Sequence, residues 1–94
     1  MSKGTSQTMQ TSDIEHEIRL FLVSNFLFGR EDALKDDATL FGSVIDSTGV
    51  IELVMFLQEK FSITIDDDEV AVPENFESLR SVVAFIAVKL RAKA

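Results

Sequence analysis

Apolar residues recur at helical spacing in three stretches of the chain, and each stretch predicts an amphipathic helix. The first carries Ile14, Ile18, Phe21, Leu22 and Phe26 on one stripe, opened by Ser12 and Glu15 as a reciprocal capping box and left near Gly29. The second spans about 47–60: Asp46 is a good N-cap, its charge suits the positive helix end, and Val50, Leu53, Val54, Leu57 and Phe61 face inward. The third starts near Ser78 with Phe76 just outside as a staple. Its stripe is Leu79, Val82, Val83, Ile86 and Leu90, and Lys89, Arg91 and Lys93 favour its C-terminal end. Between the last two helices, residues 62–65 read as a short extended link and Asp66 to Glu69 as one brief helical turn. The pattern predicts an all-α fold, a small four-helix bundle of three main helices and one short one.

Two segments do not fit a plain bundle. Residues 30–46 form a long connection without periodicity of its own; loops of this length in small domains are functional or anchored by buried side chains, here Leu34, Leu40 and Phe41. The second helix also has more apolar surface than one inward stripe uses. Thr48, Ile51 and Met55 lie on a neighbouring stripe beside Glu52 and Glu59, an apolar line rimmed by acids that suits docking against a partner. The competing reading is that both faces of this helix are packed within the bundle.

The length of 94 residues allows one domain, and 46% apolar residues with a single proline predict that most of it folds. Residues 1–12 are polar and aperiodic and read as a disordered tail, which leaves residues 13–92 as the folded domain. No secretory apolar run and no stretch near the roughly 20 residues of a membrane span occur, so a soluble, cytoplasmic monomer without membrane insertion is expected. The net charge is −7, and from Glu31 to Glu77 thirteen acids face only Lys35 and Lys60. Such a surface repels nucleic acid and attracts basic patches on partner proteins.

Catalytic and metal chemistry find little support. There is no cysteine for a zinc site, a disulfide or a thiol nucleophile. His16, the one histidine, lies between Glu15 and Glu17, and nothing couples it to a serine and an acid as a triad needs. A calcium loop counted from Asp66 would require glycine at its sixth place and has Ala71, so a solvated turn is the better reading. The four glycines are scattered and form no phosphate loop. No catalytic residue and no metal ligand is therefore assigned. What remains is the group Asp46-Ser47-Thr48-Gly49, which puts a serine hydroxyl beside an acid at the exposed start of a helix.

The segment from Leu40 to Phe61, with the Asp46-Ser47 pair, the Glu52-Leu53-Val54-Met55 run and Phe61-Ser62-Ile63-Thr64-Ile65 beyond it, resembles the acyl carrier proteins and their peptidyl and aminoacyl relatives. The resemblance covers residues 13 to about 92. It implies a non-enzymatic carrier of the acyl-carrier four-helix type, with 4′-phosphopantetheine joined covalently to Ser47 by a phosphopantetheinyl transferase that brings its own magnesium. The group's thiol would hold an acyl or aminoacyl cargo as a thioester. Loading by an adenylating acyl or aminoacyl ligase and consumption by a downstream acyltransferase or synthase are implied likewise, with Asp46, Thr48, Ile51, Glu52, Met55 and Glu59 as the docking set. Ser43 is the rival attachment residue, but it lacks a preceding acid.

Two departures bear on the pathway. Fatty-acid carriers commonly have leucine and then an acid after the serine, whereas Thr48 and Gly49 follow here, and the Asp-Ser-x-Gly form looks more like D-alanyl and stand-alone carriers served by separate ligases. Lys60 interrupts the acidic end of the second helix. These features point away from housekeeping fatty-acid synthesis. Eight phenylalanines, Phe56 among them, suggest a ring-filled interior and a short or aminoacyl cargo. The alternative class is a helical interaction module with no prosthetic group, in which Asp46 and Ser47 only cap a helix.

Overall fold

The computed structural model describes residues 10–35, 39–40, 42 and 44–93. Among these residues four α-helices follow in chain order: α1 (Thr11–Phe26), α2 (Ser47–Phe61), α3 (Asp67–Val70) and α4 (Leu79–Lys93). Two 3₁₀ turns, Glu31–Ala33 and Pro73–Phe76, punctuate the connections. The described residues contain no strand; Thr39 and Ser78 form an isolated antiparallel bridge. The small all-α bundle expected from periodicity is therefore the fold.

Each main helix contributes one apolar stripe to a common core. Ile14, Ile18, Leu22 and Val23 come from α1, Val50, Leu53, Leu57 and Phe61 from α2, and Leu79, Val82, Val83 and Ile86 from α4. Burying each such side chain contributes about 1.5–3 kcal/mol. Val54 and Leu90, expected on these stripes, are half-buried at its edge, as are Phe21, Phe26 and Phe56. Phe76 is fully buried before α4, its ring centroid 5.5 Å from that of Phe85.

The start of α1 differs from expectation. Gln10 is the N-cap, and its amide donates to the Asp13 carboxylate at 3.3 Å, so the reciprocal box forms two residues before the Ser12 and Glu15 pair. Glu15 instead accepts from the Arg19 guanidinium at 3.0 Å, an i,i+4 pair that a cap role would forgo. The expected tail of residues 1–12 falls outside the described residues as far as residue 9, and Thr11 and Ser12 belong to α1.

The long α1–α2 connection is held at several points. Leu34 and Leu40 are buried as expected, while Phe41 lies outside the described residues. Arg19 also donates to the Leu34 carbonyl at 2.9 Å, and the Leu40 amide donates to the Glu77 carbonyl at 2.8 Å. The Leu40 carbonyl accepts from both Val44 and Ile45, with Gly42 at φ 86° in the turn, a value that glycine adopts freely. This turn delivers the chain to the start of α2.

At the opposite end α3 is latched to α4. The Asp66 amide donates to the Glu69 carboxylate at 2.9 Å, and Lys89 on α4 donates to both oxygens of that carboxylate at 2.9 and 3.0 Å. The Lys89 ammonium and the Asp66 amide hold Glu69 below the usual carboxylate range. Asn75 adds a bond from its side chain to the Glu69 carbonyl at 2.9 Å.

Candidate functional site

The start of α2 is built by Asp46. Its backbone is extended, its carbonyl accepts from the Val50 amide at 3.0 Å, and its side chain accepts from the Gly49 amide at 2.8 Å. Asp46 thus performs the capping, and Ser47 is the first residue inside the helix. Ser47 is exposed, and its hydroxyl makes no hydrogen bond with any described residue. The amides of Ser47 and Thr48 likewise make none among the described residues, so free N–H groups and the positive end of the helix lie in the same first turn as the hydroxyl. A phosphodiester on this oxygen would meet a setting that favours an anion.

Gly49 acquires a reason that the sequence did not disclose. It is buried, and a Cβ placed there would stand 3.0 Å from Ile45 Cβ and 3.0 Å from Phe26 Cε1. The glycine lets the end of α1 press against the first turn of α2. Phe26, read from spacing as part of the core stripe, is half-buried here and lines an open pocket of about 280 Å³ with Gly42, Val44, Ile45 and Asp46. The signal was present in the pairing of an unusual helix-start glycine with an aromatic residue at the end of α1. No local pattern links the two.

The remaining candidates fall where periodicity put them. Thr48, Ile51, Glu52, Met55 and Glu59 are all exposed, Ile51 at 60% and Met55 at 59%. The second stripe of α2 is therefore not covered by the bundle, and it runs along the same helix that Ser47 begins. Phe56, on a different face, is half-buried and stacked on Phe21 with centroids 4.3 Å apart. Lys60 is turned toward α1, 3.3 Å from Glu17. Ser43 lies outside the described residues, and His16 is exposed. Among the described residues no group of three or more His, Cys, Asp or Glu side chains is placed to hold a metal ion. No described helix is long and apolar enough to cross a membrane.

The bundle thus presents an exposed, unengaged serine behind an aspartate cap at the start of α2. The family model described as "Phosphopantetheine attachment site" matches residues 27–86. The chain is 30% identical over 74 residues to a probable acyl carrier protein, PigG, of Serratia sp., covering 78% of this chain and 84% of that protein. It is also similar to an acyl carrier protein of Helicobacter hepaticus, 51% identical over 41 residues, 44% of this chain and 50% of that one. A further acyl carrier protein, from Exiguobacterium sibiricum, is 44% identical over 45 residues, 48% of this chain and 53% of its own. The matched segments span about half the length of these last two relatives. The chain belongs to the acyl carrier protein family. It is accordingly a non-catalytic carrier whose prosthetic group is covalently attached 4′-phosphopantetheine.

Proposed function

We propose that Ser47 is the attachment residue and that the protein holds an acyl or aminoacyl group for partner enzymes outside housekeeping fatty-acid synthesis. The observation that carries this reading is the division of labour at the start of α2: Asp46 caps, and the Ser47 hydroxyl is exposed and unengaged among the described residues. Attachment joins the Ser47 oxygen to the β-phosphorus of coenzyme A. The bond from that phosphorus to the bridging oxygen breaks, 3′,5′-adenosine bisphosphate leaves, and the serine proton passes to a base of the phosphopantetheinyl transferase. Once attached, the group supplies a thiol that carries the cargo as a thioester. The amides of Ser47 and Thr48 and the helix end would favour the phosphodiester, while Asp46 keeps the helix start fixed.

Docking is assigned to Asp46, Thr48, Ile51, Glu52, Met55 and Glu59, because they form an exposed apolar line with acids along the helix that begins at Ser47. Its partners are the transferase, an adenylating ligase and a downstream acyltransferase or synthase. A short or aminoacyl cargo is supported by the interior: Phe56 stacks on Phe21, and Leu53, Leu57, Phe76 and Ile86 are fully buried. Added volume in such a core costs roughly 1–3 kcal/mol, which disfavours swallowing a long alkyl chain. Incubation with coenzyme A and a broad-specificity transferase, then proteolytic mapping by mass spectrometry, tests the attachment. The added mass is expected on the peptide that contains Ser47, at Ser47 itself. Its location at any other residue would overturn the assignment.

A further inference from the structure

Phe28 follows the end of α1 and is 94% exposed, against 60% for Ile51, the next among the described large apolar side chains. Its φ is 54°, in the left-handed region where a side chain crowds its own carbonyl and where glycine ordinarily closes a helix. The glycine of this turn comes one residue later, Gly29 at φ 83°. At the helix end the amides of Leu27 and Gly29 both donate to the Val23 carbonyl at 3.2 and 3.0 Å, and the Asn25 side chain donates to the Phe21 carbonyl at 2.8 Å. Phe28 thus accepts an unfavourable backbone and hides almost none of its ring. Folding gives no reason for a phenylalanine here, and an outlier of this kind points to a role in recognition.

Its place in the fold identifies what it would recognise. Phe28 is two residues from Phe26, whose ring packs against Gly49 in the first turn of α2, so Phe28 belongs to the same end of the bundle as Ser47. Resting on the assignment of Ser47 as the attachment residue, we propose that Phe28 is an anchor for the transferase that modifies it. That enzyme must bring a phosphorus atom to bonding distance of the Ser47 oxygen and therefore covers this end of the molecule. Enzymes that act at the far end of the attached arm can stand further away. Charge agrees: exposed Glu31, Asp32, Asp46 and Glu52 outnumber exposed Arg30 and Lys35 on the segments concerned. An enzyme that holds the phosphates of coenzyme A beside Ser47 presents cations at its mouth, with an apolar socket for the ring.

The test is steady-state modification of the apo form of the 94-residue chain by a broad-specificity phosphopantetheinyl transferase with coenzyme A, comparing wild type, Phe28→Gly and Phe28→Leu. Phe28→Gly should raise KM for the carrier about tenfold with kcat within about twofold, the scale of losing one aromatic anchor. Phe28→Leu should recover most of the loss, and the thermal midpoint of Phe28→Gly should equal or exceed that of wild type. An unchanged KM in Phe28→Gly, with wild type modified normally, overturns the anchor and leaves Ser47 in place. A raised KM accompanied by lost helicity would make Phe28 a folding residue and overturn it as well. Failure of wild type to be modified at all would remove both assignments.

Discussion

Ser47 and Ser78 both follow an acid at the start of a helix, yet Ser78 is 9% exposed and its oxygen is engaged, whereas Ser47 is exposed and unengaged among the described residues. At α4 the Ser81 amide donates to Ser78 Oγ at 3.1 Å, and the two hydroxyls lie 3.1 Å apart. At α2 the equivalent bond goes to Asp46. The difference lies in the preceding residue. Aspartate is short enough to cap, so Asp46 takes the N-cap place and moves Ser47 one position into the helix. Glutamate is not a favoured cap; Glu77 leaves the capping to Ser78 and is tied to the loop through its carbonyl, which accepts from Leu40. An acid and a serine in sequence thus give a structural cap in one place and an available hydroxyl in the other.

The largest effect on this contrast should come from Gly49. Gly49→Leu forces a side chain against Ile45 and Phe26 and displaces the amide that Asp46 caps, so thermal unfolding should show a loss of about 1–3 kcal/mol. Next come the caps themselves. Ser78→Ala should destabilise by about 1 kcal/mol and leave the attachment rate unchanged, whereas Ser47→Ala should stay within about 0.5 kcal/mol of wild type. Asp46→Ala should match the loss of Ser78→Ala and also slow attachment. Asp46→Asn caps equally well and should restore stability, so any slowing that persists measures the charge.

Smaller effects belong to regions away from the two serines. Glu69 titrates below its ordinary value because of Lys89 and the Asp66 amide, so its contribution is fully present above the unfolded carboxylate pKa. It is lost as pH falls through the lowered folded value. In Lys89→Met the part of this acid-side loss due to Lys89 should vanish from a pH series of denaturant melts, a difference of about 0.5–1 kcal/mol. Met55→Ala should change stability by about 0.5 kcal/mol or less while slowing modification or loading. A Met55→Ala protein that unfolds would place that side chain in the core.

The helices were legible because three main stripes repeat at helical spacing and Asp46 and Ser78 are strong start signals. The α1 boundary was not, since Gln10 with Asp13 offers a start that competes with Ser12 and Glu15, and Glu15 is engaged by Arg19. The two 3₁₀ turns were missed because single turns have no periodicity to read. Within the site, the order of acid and serine, and Ile51 and Met55 on an outward stripe, could be read directly. Gly49 looked like a departure from relatives because its cause, the Phe26 ring, lies 23 positions away in the chain. Phe28 escaped notice since its meaning rests on a backbone angle and an exposure that spacing does not encode.

On the proposed reading, the hydroxyl freed by the Asp46 cap is the one that receives phosphopantetheine. Intact-mass measurement of the Ser47→Ala and Ser78→Ala proteins after incubation with coenzyme A and transferase tests it most directly. Ser78→Ala should gain one phosphopantetheine as wild type does, and Ser47→Ala should gain none while keeping its helical circular dichroism. A folded Ser47→Ala protein that still gains the group, with the gain abolished instead in Ser43→Ala, would contradict the account.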